Sequence, residues 1–226
     1  MIIVLIVLLL VAIAGTIALR SGLFGMRLST NSQVGNLLIQ NNDSALFKFE
    51  GMEANVISQN FALGGMFHYL LDPTNATDEL VFCYDARQSD TFNIQQASII
   101  NEDDSTERTN FCDTNKSSSE RGAVITQVHM RRNYADSQIS EGYTINNSTP
   151  TVQLNISLSL SAISVIPAFG SHDKNAVNDC FKHSAFKKTA STTTIAECFN
   201  GLGIAHDVQS TDFKAGNSVH VERFSN

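Results

Sequence analysis

Tryptophan is absent from this 226-residue chain, proline occurs only three times (Pro73, Pro150 and Pro167), and charged residues make up 16%. So little proline excludes a proline-rich linker or a mucin-like stalk, and no fixed-period repeat marks a solenoid. Cations are scarce too: 15 Lys and Arg against 22 Asp and Glu leave a formal net charge of −7. Binding to nucleic acid wants a basic face that displaces counterions, so no nucleic-acid partner is expected. Catalytic signatures are also missing. No G-x-S-x-G, H-E-x-x-H, G-x-x-x-x-G-K-[ST] or G-x-G-x-x-G occurs. The six histidines, His68, His129, His172, His183, His206 and His220, are scattered. His129 and His220 fall in expected strands and read as ordinary sheet positions. His172-Asp173 has no marked nucleophile to serve. Neither an enzyme nor a cofactor is expected.

Metal signatures are weak. No C-x-x-C occurs, and Cys180, His183, Cys198 and His206 make only a loose zinc set. Glu102-Asp103-Asp104 lacks the alternating ligands and turn glycine of an EF-hand, so a solvated charge run is expected; calcium stays an open alternative.

Residues Met1 to Leu19 carry no charge, and only Gly15 and Thr16 interrupt their apolar character. As a helix the run spans roughly 28 Å, close to the ~30 Å hydrocarbon core of a bilayer. A helix pairs its own N–H and C=O groups in lipid, so 1–19 is expected to be a membrane helix. A cleaved signal peptide is the alternative: Ala12-Ile13-Ala14 mimics a cleavage site, but a basic n-region is missing. Arg20, Arg27 and Lys48 follow the run, which would place the body in the cytoplasm. Four cysteines in a polar body argue instead for an oxidising compartment. A short basic leader removed just before Met1 reconciles the two. Cys83, Cys112, Cys180 and Cys198 allow three disulfide connectivities. Pairing of sequence neighbours, which closes short loops, is expected, with free buried thiols as the alternative.

Beyond Arg20 no proline occurs until Pro73, and Val34, Leu37, Leu38, Ala45, Leu46 and Phe49 recur at helical spacing. The opposite positions hold Asn31, Gln33, Asn36, Gln40, Asn42 and Asp43. One nearly continuous helix over 2–52 is expected, ~75 Å long, with bending at the glycines of 15–25. This divides the chain into a membrane and polymerisation helix (1–19), its amphipathic continuation (20–52) and a globular head (53–226). Within the head, 54–72 is a mixed stretch ended by Asp72-Pro73. Residues 79–84 read as a buried strand, and 88–121 as a long polar loop that Cys112 can pin to it. A second strand is expected at 122–132 and a loop at 133–150. In 151–162, Val152, Leu154, Ile156, Leu158 and Leu160 alternate with Thr151, Gln153, Asn155, Ser157 and Ser159. That pattern predicts one buried and one wet face of an antiparallel sheet. A loop and a short helix near 194–199 follow, then two strands, 206–214 and 218–224. The class is α+β: a long helix on four or five antiparallel strands.

An uncharged apolar helix at residue 1, continuing onto an antiparallel sheet with a C-terminal disulfide loop, resembles the type IV pilins. The N-terminal region is similar to minor pilins of the PilX type in Ile2-Ile3-Val4-Leu5-Ile6-Val7-Leu8-Leu9-Leu10, the pair Gly15-Thr16, Arg20, Val34-Gly35-Asn36 and Ser44-Ala45-Leu46. Beyond residue 50 only Leu63-Gly64-Gly65 and Val81-Phe82-Cys83-Tyr84 show a general likeness. The resemblance implies a structural subunit whose head lies in the periplasm while residues 1–19 sit in the inner membrane, and which later joins a pilus. Its implied partners are other minor and major pilins and a tip adhesin. It also implies a basic leader ending in glycine, cut before Met1 by a prepilin peptidase. Major pilins carry a glutamate where this chain has Leu5, and an apolar filament core tolerates a charge only when it is paired. Lacking that carboxylate, the chain resembles subunits placed at or near the filament tip. Two alternatives remain: a pseudopilin of type II secretion, and a signal-anchored periplasmic binding or sensor domain.

Overall fold

The computed structural model describes residues 15–16, 32–114, 124–133, 151–168, 173–186 and 192–220. Met1, Leu5 and Arg20 lie outside the described residues, as do most of the expected membrane helix and the start of its continuation. Gly15 and Thr16 are helical and exposed. Among the described residues no helix is long and apolar enough to cross a membrane. Contacts divide the chain into two compact units, Met1–Leu37 and Leu38–Asn226. Residues 32–50 are helical (α1), of which 38–50 belong to the second unit.

The second unit is built on a six-stranded, wholly antiparallel sheet. Its strands are β1 (Glu79–Tyr84), β2 (Ser98–Ile100), β3 (Thr106–Glu107), β4 (Ile125–Arg132), β5 (Thr151–Val165) and β6 (His206–His220), in the order β3-β2-β1-β4-β5-β6. Helices α2 (Ala54–Phe61), α3 (Met66–Leu71), α4 (Lys174–Cys180) and α5 (Ile195–Gly201) complete it, so the class is α+β.

Side chains alternate across a strand, and here both faces are covered. On one face Leu80, Phe82, Val128, Met130, Leu158 and Leu160 pack in a single core with Ala45, Leu46 and Phe49 of α1 and Phe61, Phe67 and Leu70 of α2 and α3. Phe49 is its hub. The ring is fully buried and meets Phe67, Phe92 and Phe213 edge-on, at centroid distances of 6.5, 5.1 and 5.0 Å, the offset geometry that ring quadrupoles favour. On the other face Val81, Ile125, Ile163 and Val165 pack with Val177, Phe181, Ile195 and Phe199 of a C-terminal layer. That layer holds α4 and α5. Thr194 and Glu197 close a capping box that starts α5, and the Asp173 side chain caps α4.

Several expectations need correction. The helical pattern ends at residue 50 rather than about 52, where the Gly51 N–H bonds the Phe47 carbonyl. The 54–72 stretch is two short helices. Between them Gly64 takes a φ of 86°, and a Cβ on Gly65 would lie 2.3 Å from the Asn60 carbonyl oxygen. The polar loop expected over 88–121 contains β2 and β3, and Ser98, Ile99 and Ile100 are buried against β1. Polar composition hid a three-residue strand whose own sequence is apolar. The sheet therefore has six strands, not four or five. Residues 206–220 form one strand instead of two, because β5 offers fifteen consecutive partners in register past Gly216. Nor does the serine face of β5 stay wet: Ser157 and Ser161 are buried under the C-terminal layer. The expected loop at 134–150 lies outside the described residues.

Candidate functional site

The four cysteines pair as sequence neighbours. Cys83 bonds Cys112 with S–S 2.03 Å, and Cys180 bonds Cys198. The first bond ties the segment after β3 to β1; the second ties α4 to α5. With both cysteines of the loose zinc set oxidised, and His206 Nδ1 within 2.9 Å of the Ile204 carbonyl, that set is dismantled. Among the described residues no group of three or more His, Cys, Asp and Glu is arranged for a metal. The acidic turn is spent on itself. Asp103 accepts from the Ser105 N–H at 3.0 Å and hydroxyl at 2.6 Å, Glu102 accepts from Thr77 at 3.3 Å, and Glu107 from Asn101 at 3.3 Å. Asp173 is a helix cap, and its neighbour His172 lies outside the described residues.

The densest polar chemistry lies between the sheet and the C-terminal layer, where Glu79, Gln127 and His129 are all buried. Gln127 and His129 are two apart on β4 and so share a face; Glu79 joins them from β1, where its register places it opposite Arg131. The Gln127 side chain is oriented by two backbone groups. Its Oε1 accepts from the Cys112 N–H at 2.9 Å, and its Nε2 donates to the Phe181 carbonyl at 2.8 Å. Reversing the amide would set donor against donor and acceptor against acceptor. With that orientation, the second Nε2 hydrogen points at His129 Nε2, 2.9 Å away, which must accept it. The imidazole is thereby assigned as neutral, with its proton on Nδ1, donated to Glu79 Oε1.

Glu79 also accepts from the Ala185 N–H at 2.9 Å and from the Ser184 hydroxyl. Burial pushes its carboxyl pKa up. The hydrogen bonds from His129, Ser184 and Ala185 favour the ionised form and hold it below the ordinary 4.5. Beside the cluster the Arg131 guanidinium stacks 4.3 Å from the Phe186 ring centroid. A carboxylate–imidazole pair looks like acid–base machinery only until the far nitrogen is followed: His129 Nε2 is capped by Gln127, and the whole group is sealed from water. It can hold the 181–186 segment to the sheet; it offers a substrate no free base.

A second buried network joins α1 to the sheet. Helical spacing puts Asn42 on the polar face, yet it is fully buried. Its Nδ2 donates to the Asp207 carbonyl at 3.1 Å and carboxylate at 2.9 Å, and its Oδ1 accepts from Ser164 at 2.7 Å. Ser164 in turn lies 2.8 Å from the Thr126 hydroxyl. Further along α1, Ser44 pairs with the Tyr84 hydroxyl at 2.8 Å, and Lys48 reaches Thr91 Oγ1 at 3.2 Å and the Gln88 carbonyl. Residues 38–50 are thus held by an apolar stripe flanked by matched polar groups. Of the remaining positions that the sequence singles out, Gly15 is helical with open space where a Cβ would stand, while Met1, Leu5 and Arg20 lie outside the described residues. Sequence reasoning missed Glu79, Gln127 and Asn42. For Glu79 the available signal was a lone carboxylate in an otherwise apolar run; Gln127 and Asn42 stand among other polar residues and had none.

No protein-family model, curated protein or solved structure matches the chain.

Proposed function

We propose that the chain is a structural subunit of a type IV pilus, a minor pilin of the PilX type acting in the priming of filament assembly, at or near the tip. The observation that carries the reading is the uncharged run 1–19 placed upstream of a helix whose 38–50 portion is seated on an antiparallel sheet. Before assembly the run sits in the inner membrane as a helix, with the head in the periplasm. Both disulfides suit that oxidising compartment. During assembly the run leaves lipid for a bundle of similar helices. Lipid tails are as apolar as leucine, so packing and small residues such as Gly15 set the preference between the two environments. Partners are the other minor pilins, the major pilin and a tip adhesin. No step of this role needs a cofactor.

Leu5 fits the tip position. A glutamate there would need a neighbouring cation to be tolerated in an apolar bundle, and a terminal subunit lacks one of its neighbours. Deleting the chain from its native host is expected to lower the number of surface pili, and the wild-type sequence to restore it. Leu5→Glu is expected to let the subunit enter the filament shaft, seen as label spread along pili. Unchanged piliation after deletion overturns the assembly role; unchanged label distribution overturns the tip placement.

A further inference from the structure

Strand β6 is the last strand of the sheet, and its outer edge pairs with no described residue. The Ile166 N–H donates to the Ala205 carbonyl at 3.1 Å, one step beyond the Val165–His206 pair. Bonded and non-bonded pairs alternate in an antiparallel ladder. Hence Asp207, Gln209 and Thr211 bond back to β5, while Val208, Ser210 and Asp212 turn their N–H and C=O groups outward. The β4–β5 ladder agrees: the Asn133 N–H donates to the Ser157 carbonyl at 2.8 Å, which assigns the alternate set of β5 residues to β6.

Helix α1 overhangs this edge. Asp43, Leu46, Phe47 and Glu50 form one helical stripe, and with Gln209 and Ser210 they line a groove of about 460 Å³. Phe47 is 70% exposed. An unpaired edge beside a helix wall is the geometry that β-strand addition uses: the backbone of an added strand bonds the edge, and its alternate side chains enter the groove. The groove offers an apolar wall and two carboxylates, with no lysine or arginine among its lining residues.

We propose that β6 and this groove accept an extended strand of another polypeptide whose groove-facing side chains, at every second position, are in turn apolar and basic. The apolar set packs against Leu46 and Phe47, and the cations meet Asp43 and Glu50. A second copy of this chain is a poor occupant, because the β6 positions that share the α1 face, Asp207, Gln209, Thr211 and Phe213, include an acid and no base. This docking site stands whether or not the chain is a pilus subunit.

The test uses the full chain in detergent micelles and two capped decapeptides with serine at every second position; at the positions between, one carries valine and lysine in turn, the other valine and glutamate. The lysine peptide is expected to bind at least about tenfold tighter by calorimetry, a difference of ~1.4 kcal/mol. It is also expected to slow hydrogen exchange at the amides of Val208, Ser210 and Asp212. Ser210→Pro removes an outward N–H, no backbone bond to β5 and one 3.2 Å hydroxyl bond to Ser161, and Phe47→Glu alters an exposed ring. Both are expected to unfold cooperatively, Ser210→Pro within a few degrees of the wild-type midpoint, and to weaken the lysine peptide about tenfold or more. Equal affinity for the two peptides, no binding at about 1 mM, or unchanged binding by both variants overturns the proposal. So does a homodimer that Ser210→Pro dissolves.

Discussion

Exchanging Gln127 for glutamate changes the chemistry of one buried atom and almost none of the volume. The wild-type Nε2 donates to the Phe181 carbonyl at 2.8 Å and to His129 Nε2 at 2.9 Å, while Oε1 accepts from the Cys112 N–H at 2.9 Å. A carboxylate keeps only the last of these and sets oxygen against two acceptors. Two lost hydrogen bonds cost ~1 kcal/mol each. Leaving the Phe181 carbonyl unserved and burying a second carboxylate near Glu79 adds ~1–3 kcal/mol. The expected destabilisation is therefore about 3–5 kcal/mol, or on the order of 10 °C in the midpoint for a unit of this size. Protonating the new carboxyl returns one donor, so the loss should be larger at pH 8 than at pH 5. Urea unfolding of the full chain with disulfides intact, followed by far-UV circular dichroism, measures it. A loss below about 1 kcal/mol, or one independent of pH, refutes the amide orientation and with it the assigned tautomer of His129.

Glu79 has a folded-state pKa below its ordinary 4.5. Its contribution is full above that value and is lost as pH falls through the folded-state pKa. Glu79→Gln should therefore destabilise the head at pH 7 and progressively less on acidification, read as converging urea midpoints. Cys180→Ser with Cys198→Ser opens a loop of 18-residue separation and is expected to cost ~3 kcal/mol. Amides of α4 and α5 should then exchange before those of the sheet in native-state hydrogen exchange. Asn42→Ala removes the Ser164 hydroxyl's acceptor, leaving it only Thr126, and a donor to the Asp207 carbonyl and carboxylate; a loss of about 2–4 kcal/mol in the same urea assay is expected.

The legible parts of the fold were those where one period or an apolar run continued uninterrupted. Residues 79–84 read as a strand because an almost wholly apolar short run suits burial on both faces; the alternation through Leu154–Leu160 and the helical spacing of Leu38, Ala45, Leu46 and Phe49 read as elements because a period ran through them. The segments that escaped are short or covered on both sides. Ser98-Ile99-Ile100 is too short to carry a period, and α4 spans seven residues whose helical signal is mostly its Asp173 cap. Ser157 and Ser161 looked solvent-facing because nothing in β5 itself announces a covering layer contributed from residues 173–204. The polar clusters were hidden for the same reason. Asn42, Gln127 and His129 acquire their meaning from partners 50 to 165 residues away, which no local pattern encodes. Gly216 reads as a turn, but a fifteen-residue partner carries the strand through it.

As part of a pilus subunit, residues 1–19 would serve both as a membrane anchor and as a packing rod among like helices. Single cysteines at Leu5, Leu9 and Ala12, introduced into the full chain in its native host, test it most directly. In assembled filaments oxidative or bismaleimide crosslinks from at least one position to another pilus subunit are expected, together with labelling by a lipid-phase reagent before assembly. Lipid-phase labelling at every position with no crosslink to any pilus subunit would contradict it and leave 1–19 as a plain anchor.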